Sequence, residues 1–461
     1  MIKNAGTSQL VAALALLGCG AAQAGGFALI EQGAAGMGNA YAGASAVSND
    51  ASTVWFNPAG MLELDRPQFA VAAHAISVAN EFEDKGSTLN AAFDLAPVQG
   101  ETTKDPGGTS IVPNLYYVRR FTDNLAFGLG ISAPFGNSTD FGREWTGRYQ
   151  AVESGVSVID INPSLAFRVN DKFSIGGGIS VQLLEATLGN SVDSGATCVG
   201  LASRGSVDLA QCIGAGLTTA GVRAQDGYAV VTGDSTEVTF NLGLLFKPTE
   251  QTKLGVAYRH SIDHALEGDA EFETNAALAA VLNGAGVPLF QNVDATAEAN
   301  LPASIMFSVA HQLNDKVEIL GDATWMGWSS FEELRIKFDN PAQPDSFNTQ
   351  AWEDVWRVAF GINYAKSNKL TLRTGLAYDQ DPVPSATRRT ARIPGNDRTW
   401  LSFGAGYKVS DKISLDVGFA HLFVDETPID NASEAAGGTT IRGVFDANIN
   451  LLSAQLTWMF K

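Results

Sequence analysis

The stretch Ala351–Asp379, with the sequence AWEDVWRVAFGINYAKSNKLTLRTGLAYD, is the clearest copy of the unit from which the chain is built. It has the pattern of a strand, a polar turn at 366–369 and a second strand. One face of the two strands is apolar and carries Trp356, Val358, Phe360, Ile362, Tyr364, Leu370, Leu372, Leu376 and Tyr378. The opposite face carries Arg357, Ala359, Gly361, Asn363, Thr371, Arg373, Gly375 and Asp379. This period-two alternation predicts strands whose two faces meet different surroundings.

An apolar face with aromatic residues at its ends, opposite a face of charge and glycine, is typical of a transmembrane β-barrel with lipid outside and a polar lumen inside. A soluble β-sandwich shows the same alternation, so the pattern alone leaves both folds open. Beyond residue 24 the sequence has no apolar run near the roughly 18 residues that a spanning helix needs. Any membrane crossing is therefore made by strands.

Six short polar turns divide most of the chain into pairs of strands. They lie at 122–124, 170–172, 248–250, 314–316, 366–369 and 410–412, and most contain Asn or Asp, as tight turns do. With one strand before the first turn, at 68–79, and one after the last, at 440–460, the turns predict 14 strands. The longer connections lie between the pairs, at 82–109, 136–150, 190–227, 270–297, 338–351, 380–397 and 425–439. Short turns on one rim and long loops on the other indicate an outer-membrane barrel, and an even strand number lets it close without edges.

The N-terminus has two parts that do not look like strand. Residues 1–24 have the organisation of a secretory signal, with Lys3, an apolar stretch from Leu10 to Leu17, and Ala22-Gln23-Ala24 before Gly25. Leu16-Leu17-Gly18-Cys19 loosely resembles a lipoprotein cleavage box, which is an alternative to the signal peptide. Gly, Ala and Ser then supply 19 of the 36 residues from 25 to 60. This segment is either a flexible leader or, as we predict for residues 25–65, a plug in the lumen of a barrel formed by 66–461.

Charge and cysteines restrict the partners and the compartment. A formal net charge of −19 argues against nucleic acid as a partner. Once Cys19 leaves with the signal, Cys198 and Cys212 remain. Two cysteines in one Gly- and Ser-rich connection of an exported chain predict a disulfide across the third outer loop.

The sequence lacks the common catalytic motifs G-x-S-x-G, GxGxxG, G-x-x-x-x-G-K-[ST] and H-E-x-x-H. His260 and His264 would lie roughly 13 Å apart on a strand, too far to share one ion, so we predict no metal site there. We expect no cofactor and no enzymatic activity. The run 275–282 has apolar residues at helical spacing and predicts a short, exposed amphipathic helix.

Several ordered motifs are similar to those of one known family. The start of the mature chain, Gly25-Gly26-Phe27-Ala28-Leu29-Ile30-Glu31, and the later Asn57-Pro58-Ala59-Gly60 resemble the FadL-type long-chain fatty-acid transporters of Gram-negative outer membranes. Further motifs agree, namely Leu301-Pro302-Ala303-Ser304, Asp322-x-x-Trp325-x-x-Trp328-Ser329-x-Phe331, Trp352-Glu353-Asp354-x-x-Arg357, Arg373-x-Gly375-x-Ala377-Tyr378-Asp379 and Pro394-x-x-Asp397-Arg398-x-Trp400. The resemblance covers the whole mature chain in order.

The resemblance implies a 14-stranded barrel with an N-terminal hatch in its lumen, in which Asn57, Pro58 and Ala59 lie. It also implies capture of apolar ligands at the cell surface, transfer to a deeper pocket and sideways release beside a kinked third strand. The third strand here runs into Pro134-Phe135-Gly136. Proline cannot donate to a ladder and glycine weakens one, so Pro134 and Gly136 either break the pairing there or end the strand at the outer rim.

Two groups of lumen residues are candidate functional residues. Phe27 follows two glycines, so it is predicted to be a displaceable stopper of the ligand pocket, with a simple anchor of the terminus as the alternative. Strand parity places Glu318, Asp322, Arg357 and Arg373 on polar faces of neighbouring strands. They are predicted to form a charge network that holds the plug.

Passive import of hydrophobic molecules across the outer membrane, long-chain fatty acids first among them, is the function that these features favour. A porin for polar solutes is one alternative, although a plug would block an open pore. An outer-membrane lipid hydrolase is another, but the sequence offers no recognisable nucleophile and base. We expect a monomer surrounded by outer-membrane lipid and lipopolysaccharide, with a hydrophobic small molecule as its ligand.

Overall fold

Fourteen antiparallel strands form a closed barrel in the computed structural model, which describes residues 25–434 and 438–460. The strands are β1 (Gln68–Asp84), β2 (Gly108–Thr122), β3 (Leu125–Ser132 and Gly136–Asp140), β4 (Glu153–Asn170), β5 (Phe173–Val192), β6 (Gly227–Phe246), β7 (Thr252–Arg259 and Ile262–Glu273), β8 (Val293–Leu301 and Ser304–Asn314), β9 (Val317–Met326 and Glu333–Phe338), β10 (Ser346–Thr349 and Val355–Ala365), β11 (Leu370–Asp379), β12 (Arg398–Ser410), β13 (Ile413–Val424 and Thr427–Ala432) and β14 (Thr440–Met459). The predicted strand number is confirmed. The predicted signal peptide, residues 1–24, lies outside the described residues.

Each strand pairs with its neighbours in sequence, and β14 closes the barrel on β1 along its length, from Gln68 opposite Met459 to Asp84 opposite Gly443. All six predicted turns join the strand pairs β2–β3, β4–β5, β6–β7, β8–β9, β10–β11 and β12–β13. They lie at one end of the barrel, which we call the short-turn end. The long connections lie at the other, the long-loop end.

The two faces of the strands meet the surroundings that their alternation predicts. On β10 the outward Trp356 and Phe360 are 45 % and 53 % exposed, whereas the inward Arg357 and Asn363 are each 6 % exposed. On β14 the outward Leu452 is exposed while the inward residues Ser453, Gln455 and Thr457 are buried. An apolar outer surface with a polar interior is the inverse of a soluble protein, and it suits strands that face lipid.

The long-loop end carries a small helical cluster closed by a disulfide. Helices α3 (Ser194–Ser203) and α4 (Leu209–Gly214) are joined by the predicted bond between Cys198 and Cys212, which is confirmed with a Cα–Cα distance of 5.9 Å. The helix predicted at 275–282 is present as α5 (Ala276–Ala285). Its apolar residues are not exposed as predicted, because Leu278, Val281 and Leu282 are buried against the two cysteines. No helix in the described part of the chain is long and apolar enough to cross a membrane.

The segment 25–64 contains α1 (Ala34–Met37), α2 (Thr53–Phe56) and a 3-10 helix (Pro58–Glu63), and it contacts the inward faces of strands all round the barrel. Its polar groups bond to inward side chains: Ala34 N donates to Gln455 (3.1 Å), Asn39 to Asn363 (3.2 Å) and Ser45 to Ser308 (2.8 Å). Backbone that carries few bulky side chains therefore finds its hydrogen-bond partners on the barrel wall.

Barrel glycines make this close approach possible. At eight of them a Cβ would lie less than 3.0 Å from an atom of the segment 25–64, and we call these eight the glycine belt: Gly128, Gly176, Gly243, Gly255, Gly361, Gly375, Gly404 and Gly418. A Cβ on Gly375 would lie 2.3 Å from the carbonyl carbon of Asn39, and one on Gly255 would lie 2.0 Å from the carbonyl oxygen of Ser45. These separations are shorter than any van der Waals contact, so larger residues could not be accommodated with the segment in place.

The glycine belt can be tested with Gly375→Val, because valine suits a strand but its side chain would overlap Asn39. We expect overpacking of about 1–3 kcal/mol to displace residues 36–43 while the barrel still assembles. Planar-bilayer conductance should rise, and amides of that segment should exchange faster with solvent. The matched control is Gly155→Val on β4, where a Cβ meets only Thr187 at 4.0 Å. Wild-type conductance in Gly375→Val would show that the belt does not seat the segment.

Candidate functional site

Phe27 lies in a cluster of five aromatic rings in the interior of the barrel. Its ring centroid is 4.9 Å from that of Trp328, 5.9 Å from Phe135 and 6.0 Å from Phe331 and Trp352. Phe27 is 4 % exposed. Aromatic rings at these separations attract one another beyond simple area burial, so the ring is held firmly.

The residues before Phe27 show why the chain has glycine there. Gly26 has φ +69°, and a Cβ on it would lie 2.7 Å from the ring of Trp352 and 2.8 Å from that of Trp328. Only glycine therefore fits between the two tryptophans in that backbone conformation. The amide nitrogen of Gly25 donates to Asp379 (3.2 Å), whose carboxylate also lies 3.7 Å from Arg398. The start of the described chain is therefore tied to the wall at the end of β11.

The third strand is interrupted at residues 133–135 and resumes at Gly136, so it does not end at Pro134. The first residues of the described chain fill the interruption. Leu29 N donates to the carbonyl of Pro134 (2.7 Å), and Gly136 N donates to the carbonyl of Phe27 (2.9 Å). The structure therefore brings Phe27, Pro134 and Gly136 together. The sequence predicts two separate sites, a stopper at Phe27 and a strand break at Pro134 and Gly136.

The interruption leaves a gap in the strand pairing of the barrel wall, which we call the window. β2 pairs with β3 only up to Leu115 opposite Ile131, and the second segment of β3 pairs with β4 alone. Beyond the window, Asp140 N donates to the carbonyl of Pro106 (3.2 Å), which rejoins the two sides. Inside the window the side chain of Asn114 donates to the carbonyl of Glu31 (2.8 Å), and that of Gln32 donates to the carbonyl of Ala133 (2.9 Å).

Two cavities lie on either side of residues 25–30. The outer cavity has about 940 Å³ of empty space, open solvent included, and is lined mainly by apolar side chains of β4–β9, with Phe27, Leu184, Leu266, Phe331 and Ile336 among them. The inner cavity has about 700 Å³ of empty space, open solvent included, and is lined by Gly25, Ala28, Leu29, Trp55 and Pro134, together with polar residues of the barrel wall. Phe27 lies at the boundary, because it lines the outer cavity while its neighbours line the inner one.

Arg392 is the cationic residue of the outer cavity. Its guanidinium donates through Nη1 to the carbonyls of Glu153 (3.1 Å) and Gly189 (3.4 Å) and to the hydroxyl of Ser154 (2.9 Å). Burial lowers the pKa of Arg392 to about 10, so it stays charged at neutral pH. Arg388 and Arg389, just before it, pair with Glu434 and Asp381, whereas Arg392 has no ion-pair partner among the described residues.

Sequence reasoning missed Arg392. The one signal was the basic run Arg388-Arg389-x-x-Arg392 inside an acidic chain, and nothing in that run distinguishes its members. Which arginine enters the cavity depends on how the loop 380–397 folds back over the barrel.

Known proteins share this architecture over nearly the whole chain. The profile of the family described as "Outer membrane protein transport protein (OMPP1/FadL/TodX)" matches residues 15–460. The chain belongs to this family. Like other members of the OMPP1/FadL/TodX family, it is an outer-membrane protein.

Two curated relatives in the OMPP1/FadL/TodX family illustrate the level of similarity. The long-chain fatty acid transport protein of Escherichia coli O6:H1 is 30 % identical over 421 residues, which cover 90 % of each chain. Putative outer membrane protein NMB0088 of Neisseria meningitidis serogroup B is 28 % identical over 432 residues, with 91 % of each chain covered.

Solved structures agree with the fold. A FadL homologue from Pseudomonas aeruginosa superposes with a TM-score of 0.83 and 26 % identity, covering 95 % of this chain and all of that one. The toluene transporter TodX of Pseudomonas putida has a TM-score of 0.63 at 16 % identity, covering 90 % of this chain and 96 % of that one, and it supports the fold alone.

In this OMPP1/FadL/TodX chain Asn57, Pro58 and Ala59 lie away from both cavities. The Asn57 side chain accepts from Ala59 N (3.1 Å) and donates to the carbonyls of Ser45 (2.7 Å) and Leu244 (2.9 Å). It thus caps the 3-10 helix and ties it to β6. Pro58 and Ala59 pack on Gly176 of the glycine belt, so the structure places this motif at the attachment of the segment and not beside Phe27.

The four residues of the predicted charge network all face the interior, but in the described part of the chain they form no ion pairs with one another. Asp322 accepts from Ser308 (2.5 Å) and Thr324 (2.9 Å), and Glu318 accepts from Asn363 (2.8 Å). Arg373 instead pairs with Asp416 on β13 (2.7 Å), two strands away. Arg357 donates to the carbonyl of Ala40 (2.8 Å), so it is the member of the set that contacts the segment 25–64 by a hydrogen bond.

A stronger electrostatic attachment lies at Glu63, which sequence reasoning also missed. Its carboxylate is 2.9 Å from Lys247, 3.5 Å from Arg168 and 3.6 Å from Lys253. Burial alone would raise the pKa of Glu63, but the hydrogen bond from Lys247 and the charges of Lys253 and Arg168 lower it overall. Three cations from β4, the turn after β6 and β7 thus converge on the end of the segment.

Glu63→Gln should loosen this attachment in a pH-dependent way. A carboxyl with a lowered pKa stabilises the attached state above its unfolded pKa of about 4.3, and that stabilisation is lost as pH falls through the lower, folded pKa. Because the cations are partly exposed, we expect about 1 kcal/mol at neutral pH. Hydrogen exchange of residues 58–64 should be faster in the variant at neutral pH, and the difference from wild type should vanish once pH falls below the lowered, folded pKa of Glu63. Glu250→Gln, in an exposed turn at the same end, is the control; a difference that persists at low pH would contradict the ion-pair account.

Proposed function

We propose that this protein imports hydrophobic carboxylates, such as long-chain fatty acids, passively across the outer membrane. The observation that carries the proposal is the outer cavity, a mainly apolar space with the half-buried cation Arg392 at its wall, which has no ion-pair partner among the described residues. Apolar walls take up an acyl tail, and a single fixed guanidinium takes up a carboxylate head. The name of one relative, a long-chain fatty acid transport protein, agrees with an apolar ligand.

The segment 25–64 acts in this proposal as a hatch. Its hydrogen bonds to inward side chains and its packing on the glycine belt leave little room for an open aqueous pore, which argues against a general porin. A ligand captured at the long-loop end enters the outer cavity and displaces Phe27. It then passes residues 25–30 and leaves sideways through the window between β2 and β3. One barrel contains this whole route, so a monomer surrounded by outer-membrane lipid and lipopolysaccharide suffices.

No energy source is needed for this route. Burial of an aromatic side chain stabilises its site by roughly 2–3 kcal/mol, which an incoming acyl tail can match by occupying the same apolar contacts. The ligand moves down its own gradient, and the hatch returns once the ligand has left.

Arg392→Gln tests the head-group assignment. Loss of a charge-assisted hydrogen bond should weaken binding of a long-chain fatty acid by about tenfold or more, and it should leave the alcohol of the same chain length unaffected. The measurement is binding of both probes to purified protein in lipid nanodiscs. Arg388→Gln, four residues earlier and paired with Glu434 at the surface, is the matched control. Equal losses for acid and alcohol would mean that Arg392 shapes the cavity without recognising the carboxylate.

Phe27→Ala tests the stopper. Removal of the ring joins the outer cavity to the inner one, so we expect weaker retention of fatty acid and a higher basal leak of hydrophobic dyes into cells. Surface expression and barrel stability should match wild type, as they should in the control Phe121→Ala, whose ring is 57 % exposed on the outside of the barrel. Uptake, leak and binding identical to wild type would leave Phe27 as an anchor of the terminus only.

A further inference from the structure

Arg357 is a buried cation whose hydrogen-bonding capacity is largely unused. It is 6 % exposed, and its Nε and Nη1 nitrogens have no hydrogen-bond partner among the described residues. Those two nitrogens carry three of the five N–H donors of a guanidinium. Only Nη2 is engaged, with the carbonyl of Ala40 at 2.8 Å. Buried donors without partners are costly, so such a group in a folded protein calls for an explanation.

The position of Arg357 explains its unpartnered donors, because the side chain lines the inner cavity. The guanidinium lies 5.0 Å from the centroid of the Trp400 ring, a cation–π contact that fixes its orientation. A planar, permanently charged group held in place at the wall of a cavity is preorganised to bind a carboxylate.

The other two charged residues at the inner cavity, Arg259 and Asp379, already have ion-pair and hydrogen-bond partners within the protein. Arg259 pairs with Asp160 (3.1 Å) and also donates to the carbonyl of Trp55 (3.3 Å). Asp379 accepts from Gly25 N (3.2 Å) and lies 3.7 Å from Arg398. Of the three charged residues that line this cavity, Arg357 is therefore the one without an ion-pair partner in the described part of the chain.

Two further carboxyls act on Arg357 from a distance without pairing with it. Asp322 accepts two hydrogen bonds, from Ser308 and Thr324, which satisfy much of its capacity. Glu31 is buried, and its burial raises its pKa to about 7, so it carries only part of a negative charge at neutral pH. Neither group takes the free donors of the guanidinium, so these remain available to an anion inside the cavity.

We propose that the inner cavity is a second binding site for the carboxylate of the permeating amphiphile, with Arg357 as its ligand-binding cation. This inference rests on the proposed function and adds to it. The head group is received by Arg392 in the outer cavity and by Arg357 in the inner one, with Phe27 between the two. A buried acidic head group therefore has a cation on each side of the barrier formed by residues 25–30. An uncharged ligand uses the same space without either contact.

The proposal can be tested by locating the head group directly. Crystals of the full-length protein are grown with a long-chain fatty acid that carries bromine on the carbon beside its carboxyl group. The anomalous signal of bromine then marks each position of the head. We expect two bromine positions in wild-type protein, one beside Arg392 and one beside Arg357. Each is partly occupied, because the head group lies at one position in some protein molecules of the crystal and at the other position in the rest. Arg357→Gln should lose the inner position and keep the outer one. Arg373→Gln, which changes an inward arginine that lines neither cavity, should keep both.

Uptake provides an independent measurement that does not depend on crystals of a variant. Arg357→Gln should lower the flux of the fatty acid by about tenfold relative to the alcohol of equal chain length, while binding at the outer cavity is unchanged. Bromine beside Arg392 alone in wild-type protein, or an inner position that survives Arg357→Gln, overturns the second site and leaves the proposed function standing. Absence of bromine from both cavities contradicts the proposed function itself.

Discussion

The close approach of one backbone to another inside the barrel is the constraint on which the rest of the structure depends. Residues 37–61 lie so near the wall that a Cβ at any of eight inward glycines would lie less than 3.0 Å from the segment, and at Gly255 and Gly375 it would overlap backbone atoms. Because the approach is this close, inward side chains such as Asn363, Ser308 and Gln455 reach the segment and bond to it. In an ordinary core, bulky side chains interdigitate. Here the segment and the inner face of the wall both carry small residues, so they are held together by direct backbone contact and hydrogen bonds.

The same segment accounts for the irregular third strand. An interrupted strand in a membrane barrel leaves unpaired backbone groups, which are tolerated only where protein or water satisfies them. Here the carbonyl of Pro134 and the amide of Gly136 pair with Leu29 and Phe27 of the segment. The window between β2 and β3 and the aromatic cluster around Phe27 are consequently one unit. In the proposed import route, movement of residues 27–32 opens the wall and joins the two cavities in a single step.

Charge inside the barrel follows a simple rule with two exceptions. Inward-facing arginines such as Arg259 and Arg373 each have a carboxylate within 3.1 Å, as the cost of burying an unpaired charge requires. Arg392 and Arg357 have none within the described residues, and each lines one of the two cavities. Cations without an ion-pair partner at cavity walls indicate binding more strongly than structural support, since a structural role is better served by a paired charge.

The alternation in Ala351–Asp379, the six polar turns and the two remaining cysteines were sufficient to predict the barrel, its strand number and the disulfide. These features are local, because a strand face, a turn or a loop closure depends on residues that are close together in the sequence. The inward positions of Glu318, Asp322, Arg357 and Arg373 followed from parity for the same reason. A plug formed by residues 25–65 stays a prediction, which rests on the small-residue composition of this segment.

Only the tertiary structure decided which of these inward groups meet. Parity relates a residue to its nearest strands, yet Arg373 on β11 pairs with Asp416 on β13, past the intervening β12. Gly406 of β12 leaves the space for that pair, since a Cβ there would lie 2.5 Å from Asp416 and 2.8 Å from Arg373. In a narrow closed lumen, long side chains reach beyond their neighbours, and loops without periodicity, such as the one that carries Arg392, fold back into the interior. Neither effect leaves a local pattern in the sequence, because both depend on the curvature of the closed barrel and on what fills it.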